Sequence, residues 1–265
     1  MIGQVNALIL AGSRGSQDPI ATLAGVSHKA LAPIAGRAML ARVIEAVQSS
    51  HAINRLFICI DDADLLNADP ELRSARETGA LAFVAPGPSP AASLALALEQ
   101  IGTERPLLIT TADHPLLTGD MVAYFLNQTP KDADLVAGLA DAMTIQAAYP
   151  GNKRTYYRLG GNGYSGCNLF LARNAKARGV AEFWRRMEGK RKNPLAIAGA
   201  IGVIALLRFA LGRLSLEGAF AHVSRLAGAQ IRPVVMPFAE AAIDVDKPAD
   251  FELASDILTR REAVG

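Results

Sequence analysis

Short apolar runs bounded by polar or turn residues alternate with stretches of helical periodicity along the first half of the chain. Runs of this length predict buried strands, and the helical spacing predicts helices that cover them. Strand and helix in this order predict a mostly parallel sheet with helices on both faces. The predicted strands are residues 5–11, 56–60, 81–85, 106–111 and 134–139, and the predicted helices are residues 38–47, 91–101 and 121–128.

The pattern changes after residue 145, where tyrosines, glycines and arginines predict hairpins or a substrate loop up to residue 166. The further predicted elements are strands 166–172 and 231–237 and helices 174–187, 215–226 and 248–260. Pro233 predicts an edge strand, because proline cannot donate to a sheet ladder. No repeat or linker divides the chain. We therefore expect one domain over 1–260, with an acceptor-binding, helical insertion at about 145–228.

Residues 194–211 are strongly apolar, and the fourteen residues from 194 to 207 carry no charge. A helix of this length would extend about 27 Å, close to a bilayer core. Arg208, Gly199 and Gly202 weaken a spanning helix. We favour a helix buried in the fold or in a homodimer interface. Peripheral contact of residues 190–211 with a membrane surface, after the basic triplet 190–192, is the alternative.

The composition is that of a folded globular protein: of 265 residues, 51% are hydrophobic and 20% are charged. Cys59 and Cys167 lie far apart without metal-ligand spacing, and Cys59 is expected to be a buried structural thiol. The N-terminus lacks a charged leader followed by an apolar stretch. A cytoplasmic location is therefore the expectation.

Positive charge is concentrated between residues 151 and 192. Eleven Lys/Arg and two Glu give this stretch a net charge of +9, which leaves −7 for the rest of a chain with a net charge of +2. Such a stretch suits an anionic small molecule, a phospholipid surface or a nucleic acid. Aromatic residues are few and no RNA-binding signature is present, so we expect no nucleic-acid partner.

The first predicted strand runs into a loop of small residues, and Lys29 follows fourteen residues after the loop. Backbone N–H groups of such a loop can bind phosphate, and a lysine adds a point charge. A tight turn with solvated charges is the alternative. The predicted nucleotide-binding residues here are Leu10, Ala11, Gly12, Ser13, Arg14, Gly15 and Lys29.

Asp113 follows the predicted strand 106–111, which places it at the carboxyl edge of a parallel sheet, where such sheets bind ligands. A carboxylate there suits Mg²⁺ shared with phosphate oxygens. A capping aspartate is the alternative. We predict Lys29 and Asp113 as the catalytic residues, and His114 as a positioning or turn residue rather than a base.

Two further aspartates, Asp244 and Asp246, precede the last predicted helix. They alternate along an extended segment, so only one readily meets Asp113. Asp246 also fits as the N-cap of that helix, with Asp250 in its first turn. Capping and metal binding need not compete.

A turn-rich segment over 84–93 enters a predicted helix near the same edge. Gly87 and Ser93 are the residues that could hydrogen-bond a base or ribose there. A plain helix cap explains them equally well.

In this order the motifs resemble the nucleotidylyltransferases with a MobA-like NTP-transferase domain. That group includes molybdenum-cofactor guanylyl- and cytidylyltransferases, sugar-phosphate nucleotidylyltransferases and CMP-sugar synthetases. The matching segments are Leu-Ala-Gly at 10–12, the Lys29 loop leading to Gly-Arg-Ala-Met-Leu at 36–40, Thr-Ala-Asp-His-Pro at 111–115 and Ile-Asp-Val-Asp-Lys-Pro at 243–248.

The resemblance implies a three-layer α/β/α Rossmann-like sandwich of the nucleotide-diphospho-sugar transferase type, with Mg²⁺ as cofactor. It implies that the glycine loop wraps the triphosphate, that Lys29 contacts phosphate, and that Asp113 and Asp246 bind the metal. The chain departs from the family pattern at Ser13, where a second glycine is usual, and at His28, where proline is usual. The basic stretch 151–192 and the apolar stretch 194–211 have no counterpart in the compact molybdenum-cofactor enzymes.

The implied function is a Mg²⁺-dependent nucleotidylyltransferase that joins an NMP from an NTP, GTP or CTP, to a phosphorylated cofactor, sugar or alcohol and releases pyrophosphate. Two alternatives stay open: a non-catalytic nucleotide-binding protein of the same fold, and a membrane-surface cytidylyltransferase for a lipid head-group precursor. The candidate acceptor-binding residues are Lys153, Arg154, Arg158, Gly166 and Asn168.

Overall fold

A single sheet with helices on both faces forms the centre of the molecule in the computed structural model, which describes residues 3–12, 18–152, 154–188, 200 and 202–264. Its strands are β1 (Val5–Leu10), β4 (Ile53–Cys59), β5 (Leu81–Val84), β6 (Leu107–Thr111), β7 (Leu135–Asp141), β8 (Tyr157–Leu159), β9 (Asn162–Ala172) and β10 (Ile231–Met236), while β2 (Pro33–Ile34) and β3 (Arg37–Ala38) form a separate ribbon.

Helices connect most of these strands. Those described are α1 (Pro19–Ala24), α2 (Met39–Ser49), α3 (Pro70–Glu77), α4 (Pro90–Ile101), α5 (Gly119–Asn127), α6 (Ala142–Ala148), α7 (Ala177–Glu188), α8 (Val203–Ala210), α9 (Leu216–Ala227) and α10 (Pro248–Val264). Short 3-10 turns lie at Lys29–Leu31, Ala63–Ala68 and Ala239–Ala242.

The strand order is β10-β7-β9-β6-β1-β4-β5, with β8 paired to β9. All pairings are parallel except those of β9, which runs antiparallel to β6, β7 and β8. The predicted mostly parallel α/β sheet is confirmed. Residues 145–228, predicted as an insertion, contribute β9 to the middle of that sheet.

Each face of the sheet has its own core, which explains why the central strands are apolar at consecutive positions. On β1, Ala7 and Ile9 pack in one cluster of buried side chains, and Leu8 packs in another on the opposite face. Burial on both faces removes the polar alternation that a half-exposed strand would have. The layers therefore agree with the predicted α/β/α sandwich.

Strand β9 carries an irregularity that matters for the site. Its register against β7 shifts between Ala137, which pairs with Phe170, and Leu139, which pairs with Gly166. Within the shifted stretch Asn168 has a left-handed backbone with φ 48°. A bulge of this kind re-aims one side chain relative to the regular pleat.

Most predicted elements are confirmed, with ends that differ by a few residues, and β10 is the edge strand that Pro233 predicts. Helices α1, α3 and α6 were not predicted. The sequence of α3 is mostly polar, and α6 begins directly after β7 without a loop. The predicted hairpin region contains the β8–β9 pair, whose turn holds Gly160 and Gly161 at positive φ.

The expectation that the apolar stretch 194–211 is buried in the core is wrong for its described part. Helix α8 contains no buried residue, and Ile204 is 77% exposed. Residues 194–199 lie outside the described residues, and no described helix is long and apolar enough to cross a membrane.

The side chain of Asp134 joins three parts of the fold through hydrogen bonds. Its buried carboxylate accepts hydrogen bonds from the Gln230 N–H (2.7 Å) and from Asn174 Nδ2 (2.8 Å). Burial alone would raise the pKa of Asp134, but these hydrogen bonds outweigh it and lower the pKa.

We expect Asp134→Ala to lower the unfolding free energy at pH 7 by about 2 kcal/mol, since hydrogen bonds to a charged group are lost. Because the folded-state pKa is lowered, this contribution is complete above the unfolded pKa of about 3.9 and is lost as pH falls through the folded pKa. Urea unfolding at pH 7 and in acid measures it. The exposed neighbour variant Asp132→Ala should change little, and equal losses for both variants would contradict the assignment.

Candidate active site

A cavity of about 960 Å³ opens at the carboxyl ends of β1 and β6. This is the edge at which open parallel sheets bind ligands. Its wall includes Leu10, Ala11 and Gly12 from the end of β1 and Asp113 from the end of β6. The volume suits a molecule of nucleotide size.

The ammonium group of Lys29 lies between two carboxylates in this cavity. Its Nζ is 2.8 Å from Oδ2 of Asp113 and 2.8 Å from Oδ1 of Asp246. The Lys29 side chain is only 13% exposed, whereas more than half of the Asp246 side chain is open to solvent. Three segments that are distant in sequence therefore meet at one cation.

Lys29 stays charged in this position. Burial alone would lower its pKa, but the charges and hydrogen bonds of Asp113 and Asp246 outweigh burial and raise it. The preceding residue fixes the backbone: Nδ1 of His28 accepts a hydrogen bond from the Ala30 N–H at 3.1 Å and caps the 3-10 turn that carries Lys29. His28 thus caps the turn at the position where the resemblance leads us to expect proline.

The segment that carries Asp246 is joined to Asp113 through the backbone. The Val245 N–H donates to the Asp113 carbonyl at 2.8 Å. The interpretation of Asp246 as N-cap of the last helix is wrong, because its side chain bonds Lys29 instead. At the start of α10 it is the Asp250 carboxylate that accepts hydrogen bonds, at 3.2 Å, from the N–H groups of Asp246 and Lys247.

Asp244 faces the other side of this segment, as its alternation with Asp246 predicts. It forms an ion pair with Arg154 and accepts a hydrogen bond from Asn168 Nδ2 at 3.0 Å. Burial alone would raise the pKa of Asp244, but the Arg154 charge and hydrogen bond lower it. Two predicted acceptor-binding residues, Arg154 and Asn168, therefore converge on the Asp244 carboxylate, and none of the three lines the cavity.

Asp113 has an oxygen that no described residue satisfies. Its Oδ1 is buried without a hydrogen-bond partner, while Oδ2 contacts Lys29. A free carboxylate oxygen beside a second carboxylate, Asp246, is a donor set that suits Mg²⁺. No group of three or more His, Cys, Asp or Glu side chains that could hold a metal occurs among the described residues. An ion here would need further oxygens from a substrate.

The loop before α4 forms another wall of the cavity. Ser93 Oγ accepts from the Gly87 N–H at 2.9 Å, and Ser89 rather than Ser93 caps α4. A Cβ built on Gly87 would lie 2.8–2.9 Å from backbone and side-chain atoms of Ala92 and Ser93. Only glycine allows this close approach, so the loop conformation depends on Gly87.

His114 is fully buried behind the cavity, and its Nε2 lies 3.3 Å from the Glu240 carbonyl oxygen. Burial is the main cause that lowers the pKa of His114. A neutral, enclosed imidazole agrees with the predicted positioning role and not with that of a base for a substrate.

Sequence reasoning missed several residues of the cavity wall. Asp61 directly follows β4 at the carboxyl edge, the same signal that identified Asp113. Arg185 and Glu188 come from α7, and Glu188 accepts a hydrogen bond from the Ser89 hydroxyl. The missed wall residues are Asp18, Pro19, His28, Ala30, Asp61, Pro86, Pro88, Ser89, Pro90, Thr111, Ala112, Arg185 and Glu188.

Other predicted site residues are not brought together with Lys29. Arg158 and Gly166 are exposed and lie outside the cavity wall. Ser13, Arg14, Gly15 and Lys153 lie outside the described residues. The binding roles of these residues stay predictions.

The family model of the MobA-like NTP transferase domain matches residues 7–213, which include Lys29 and Asp113. The chain belongs to the MobA-like NTP transferase family. Members of this family are nucleotidyltransferases, and the predicted resemblance is confirmed. A search of curated protein sequences gave no match.

Solved structures place the MobA-like chain among related folds. A hypothetical transferase from Thermus thermophilus is 31% identical, with a TM-score of 0.77 over 94% of this chain and 99% of that one. CMP:2-keto-3-deoxy-manno-octonic acid synthetase complexed with CTP is 15% identical, with a TM-score of 0.58 over 98% of this chain and 100% of that one. The 4-diphosphocytidyl-2C-methyl-D-erythritol synthase from Anaerococcus prevotii DSM 20548 is 11% identical, with a TM-score of 0.59 over 97% and 96%. The last two show the shared fold.

We expect Gly87→Ala to destabilise the protein by about 1–3 kcal/mol, because the added methyl group overpacks the start of α4. The displaced loop should also weaken nucleotide binding. Thermal unfolding with and without nucleotide measures both effects. Gly151→Ala is the matched control, since a Cβ there meets nothing within 4 Å. Equal behaviour of the two variants would show that the loop tolerates a side chain.

Proposed function

We propose that this NTP transferase joins the NMP part of an NTP to a phosphorylated small molecule and releases pyrophosphate, with Mg²⁺ as cofactor. One observation carries the proposal: the Lys29 ammonium lies between Asp113 and Asp246 in a cavity of nucleotide size at the carboxyl edge of the sheet. The ammonium group can bind the phosphates of a triphosphate, and the carboxylates can bind its divalent counter-ion.

The end of β1 supplies the phosphate side of the site. Ala11 and Gly12 follow a central buried strand and line the cavity beside Lys29. Gly12 leaves open space at its Cβ position, so a phosphate can approach the backbone there. Lys29 then lies within the same cavity to neutralise phosphate charge.

Asp113 and Asp246 are the residues that would hold Mg²⁺. The unsatisfied Asp113 Oδ1 and the solvent-exposed Asp246 leave carboxylate oxygens available to an ion. When bound, Mg²⁺ would supply charge neutralisation at the phosphate oxygens. Hard oxygen ligands from only two protein side chains suit an ion that completes its shell with substrate and water.

The reaction needs alignment more than proton transfer. An acceptor phosphate oxygen attacks the α-phosphorus, a new P–O bond forms, and the bond to the β-phosphate oxygen breaks as pyrophosphate leaves. The attacking oxygen is already an anion, so no strong base is required. Lys29 reduces repulsion between the two anionic substrates and orients them within the cavity.

The base of the nucleotide belongs at the Gly87–Ser93 loop in this proposal, which is the other wall of the cavity. CTP and GTP are the nucleotides to test first. CTP has added support because the solved relatives include a CMP-sugar synthetase complexed with CTP and a diphosphocytidyl-erythritol synthase. The loop offers backbone groups and hydroxyls that can read a base edge.

The acceptor belongs beside Asp244, near the β8–β9 hairpin. Arg154 is already paired with Asp244, which leaves the exposed Arg158 as the described cation on β8 for a second phosphate. Gly166 and Asn168 lie further along β9, at the bulge in its pairing with β7. Phosphorylated sugars, alcohols and cofactors all fit this charge pattern.

Pyrophosphate release from CTP and GTP, with a panel of phosphorylated acceptors, tests the proposal. We expect activity that EDTA removes and Mg²⁺ restores. Asp113→Asn should lower kcat about a hundredfold or more, because one metal-binding and Lys29-orienting carboxylate is lost. Asp120→Asn, an exposed aspartate in the first turn of α5, is the matched control. A loss of less than tenfold for Asp113→Asn would refute its assignment.

Arg158→Gln tests the acceptor side separately. We expect the KM for the phosphorylated acceptor to rise about tenfold, with the KM for the NTP unchanged, because one charge-assisted contact to phosphate is lost. Steady-state kinetics with each substrate varied in turn measures the split. Arg260→Gln on α10 is the control. An equal rise in both KM values would place Arg158 outside the acceptor site.

A further inference from the structure

Helix α8 exposes a set of large apolar side chains to solvent. Among the described residues, eleven large hydrophobic side chains are exposed, and five of them lie within the nine positions 203–211. The other six are scattered singly over α1, β5, α4, α6, β8 and β10. Single exposed residues are ordinary, whereas a contiguous apolar patch marks a binding surface.

Four of these five exposed residues share one face of the helix, and Phe209, which is 38% exposed, lies on the opposite side. Val203, Ile204, Leu207 and Leu211 are 56–77% exposed, and at 100° per residue they fall within an arc of about 100°. Ala205 and Leu206, on the opposite side, are partly buried. The helix therefore turns its apolar stripe outward, the reverse of a helix that packs on a core.

Positive charge borders this stripe. Arg208 lies next to it on the helix, Arg213 follows directly after Gly212, and both are exposed. By sequence, residues 189–216 contain five basic and no acidic residues. An apolar stripe with basic neighbours is the pattern of a helix that lies in the interface of an anionic membrane.

A second copy of the chain fits this surface less well. A two-fold interface would pair this patch with itself, so Arg208 and Arg213 would face only the apolar and basic side chains of the same patch and no complementary acidic ones. Four aliphatic side chains also fall short of the roughly 20 residues per side of a standard protein interface. An anionic lipid surface needs only a short apolar stripe and complementary charge.

The helix would lie on such a surface rather than span it. Its eight residues extend about 12 Å, far less than the roughly 30 Å of a hydrocarbon core. We propose that the outward face of α8, together with Arg208 and Arg213, binds anionic phospholipid and holds the protein at a membrane surface. The proposal does not depend on the proposed reaction, since lipid binding is measured without turnover.

Co-sedimentation with phosphatidylcholine vesicles, with and without phosphatidylglycerol, tests the proposal. We expect the full chain to sediment with the phosphatidylglycerol vesicles and not with phosphatidylcholine alone, and to be released by high salt. The double variant Ile204→Ser/Leu207→Ser should bind at least about tenfold more weakly, because two exposed aliphatic side chains no longer enter the lipid.

Matched controls separate lipid binding from unspecific effects. Met143→Ser removes a side chain that is 78% exposed on α6, away from the stripe, and should bind like the unmodified chain. Arg208→Gln/Arg213→Gln should reduce binding to phosphatidylglycerol vesicles, whereas Arg105→Gln should not. Circular dichroism and thermal unfolding show that the variants remain folded, as expected for exposed positions.

Three results would overturn the proposal. They are absence of sedimentation with phosphatidylglycerol vesicles, equal binding to both vesicle types, and unchanged binding of the Ile204→Ser/Leu207→Ser variant. Sedimentation velocity adds a fourth: a dimer that this variant dissociates, without vesicle binding, would assign the face to a second copy.

Discussion

The contact of one ammonium group with two carboxylates is the interaction on which the site depends. Lys29 joins the segment after β1 to the end of β6 and to the segment before α10, through Asp113 and Asp246. Two carboxylates this close would repel each other in a partly buried site. The cation removes that cost and holds three distant segments around one cavity.

The charge balance of this cluster limits what can enter. One lysine and two aspartates give a net charge of −1, so a bare triphosphate meets repulsion as well as attraction. When a triphosphate carries a bound divalent cation, the two carboxylates meet that cation, and the repulsion becomes attraction. Lys29 then remains available to phosphate oxygens.

The sequence predicts those parts of the site that follow from strand topology. Asp113 and Gly12 each follow a buried strand, and parallel strands bring their carboxyl ends to one edge. The cap of α10 was predicted wrongly. The Asp246 carboxylate could accept from the N–H groups at the start of the helix or from Lys29, and the local sequence does not distinguish the two. Asn168 reaches Asp244 through a bulge in β9, and Glu188 reaches the cavity from α7. Neither position follows from a local pattern.

The apolar stretch 194–211 shows that a periodic sequence pattern does not by itself predict which face of a helix is buried. Periodicity identifies Val203, Ile204 and Leu207 as one face of a helix, but it gives no direction relative to the core. The structure turns that face outward. Arg154, in the basic stretch 151–192, pairs with Asp244, whereas Arg208 lies beyond that stretch and borders the apolar stripe. Positive charge near the proposed acceptor site and positive charge near an apolar helix suit different anions, and only the second combination suits lipid.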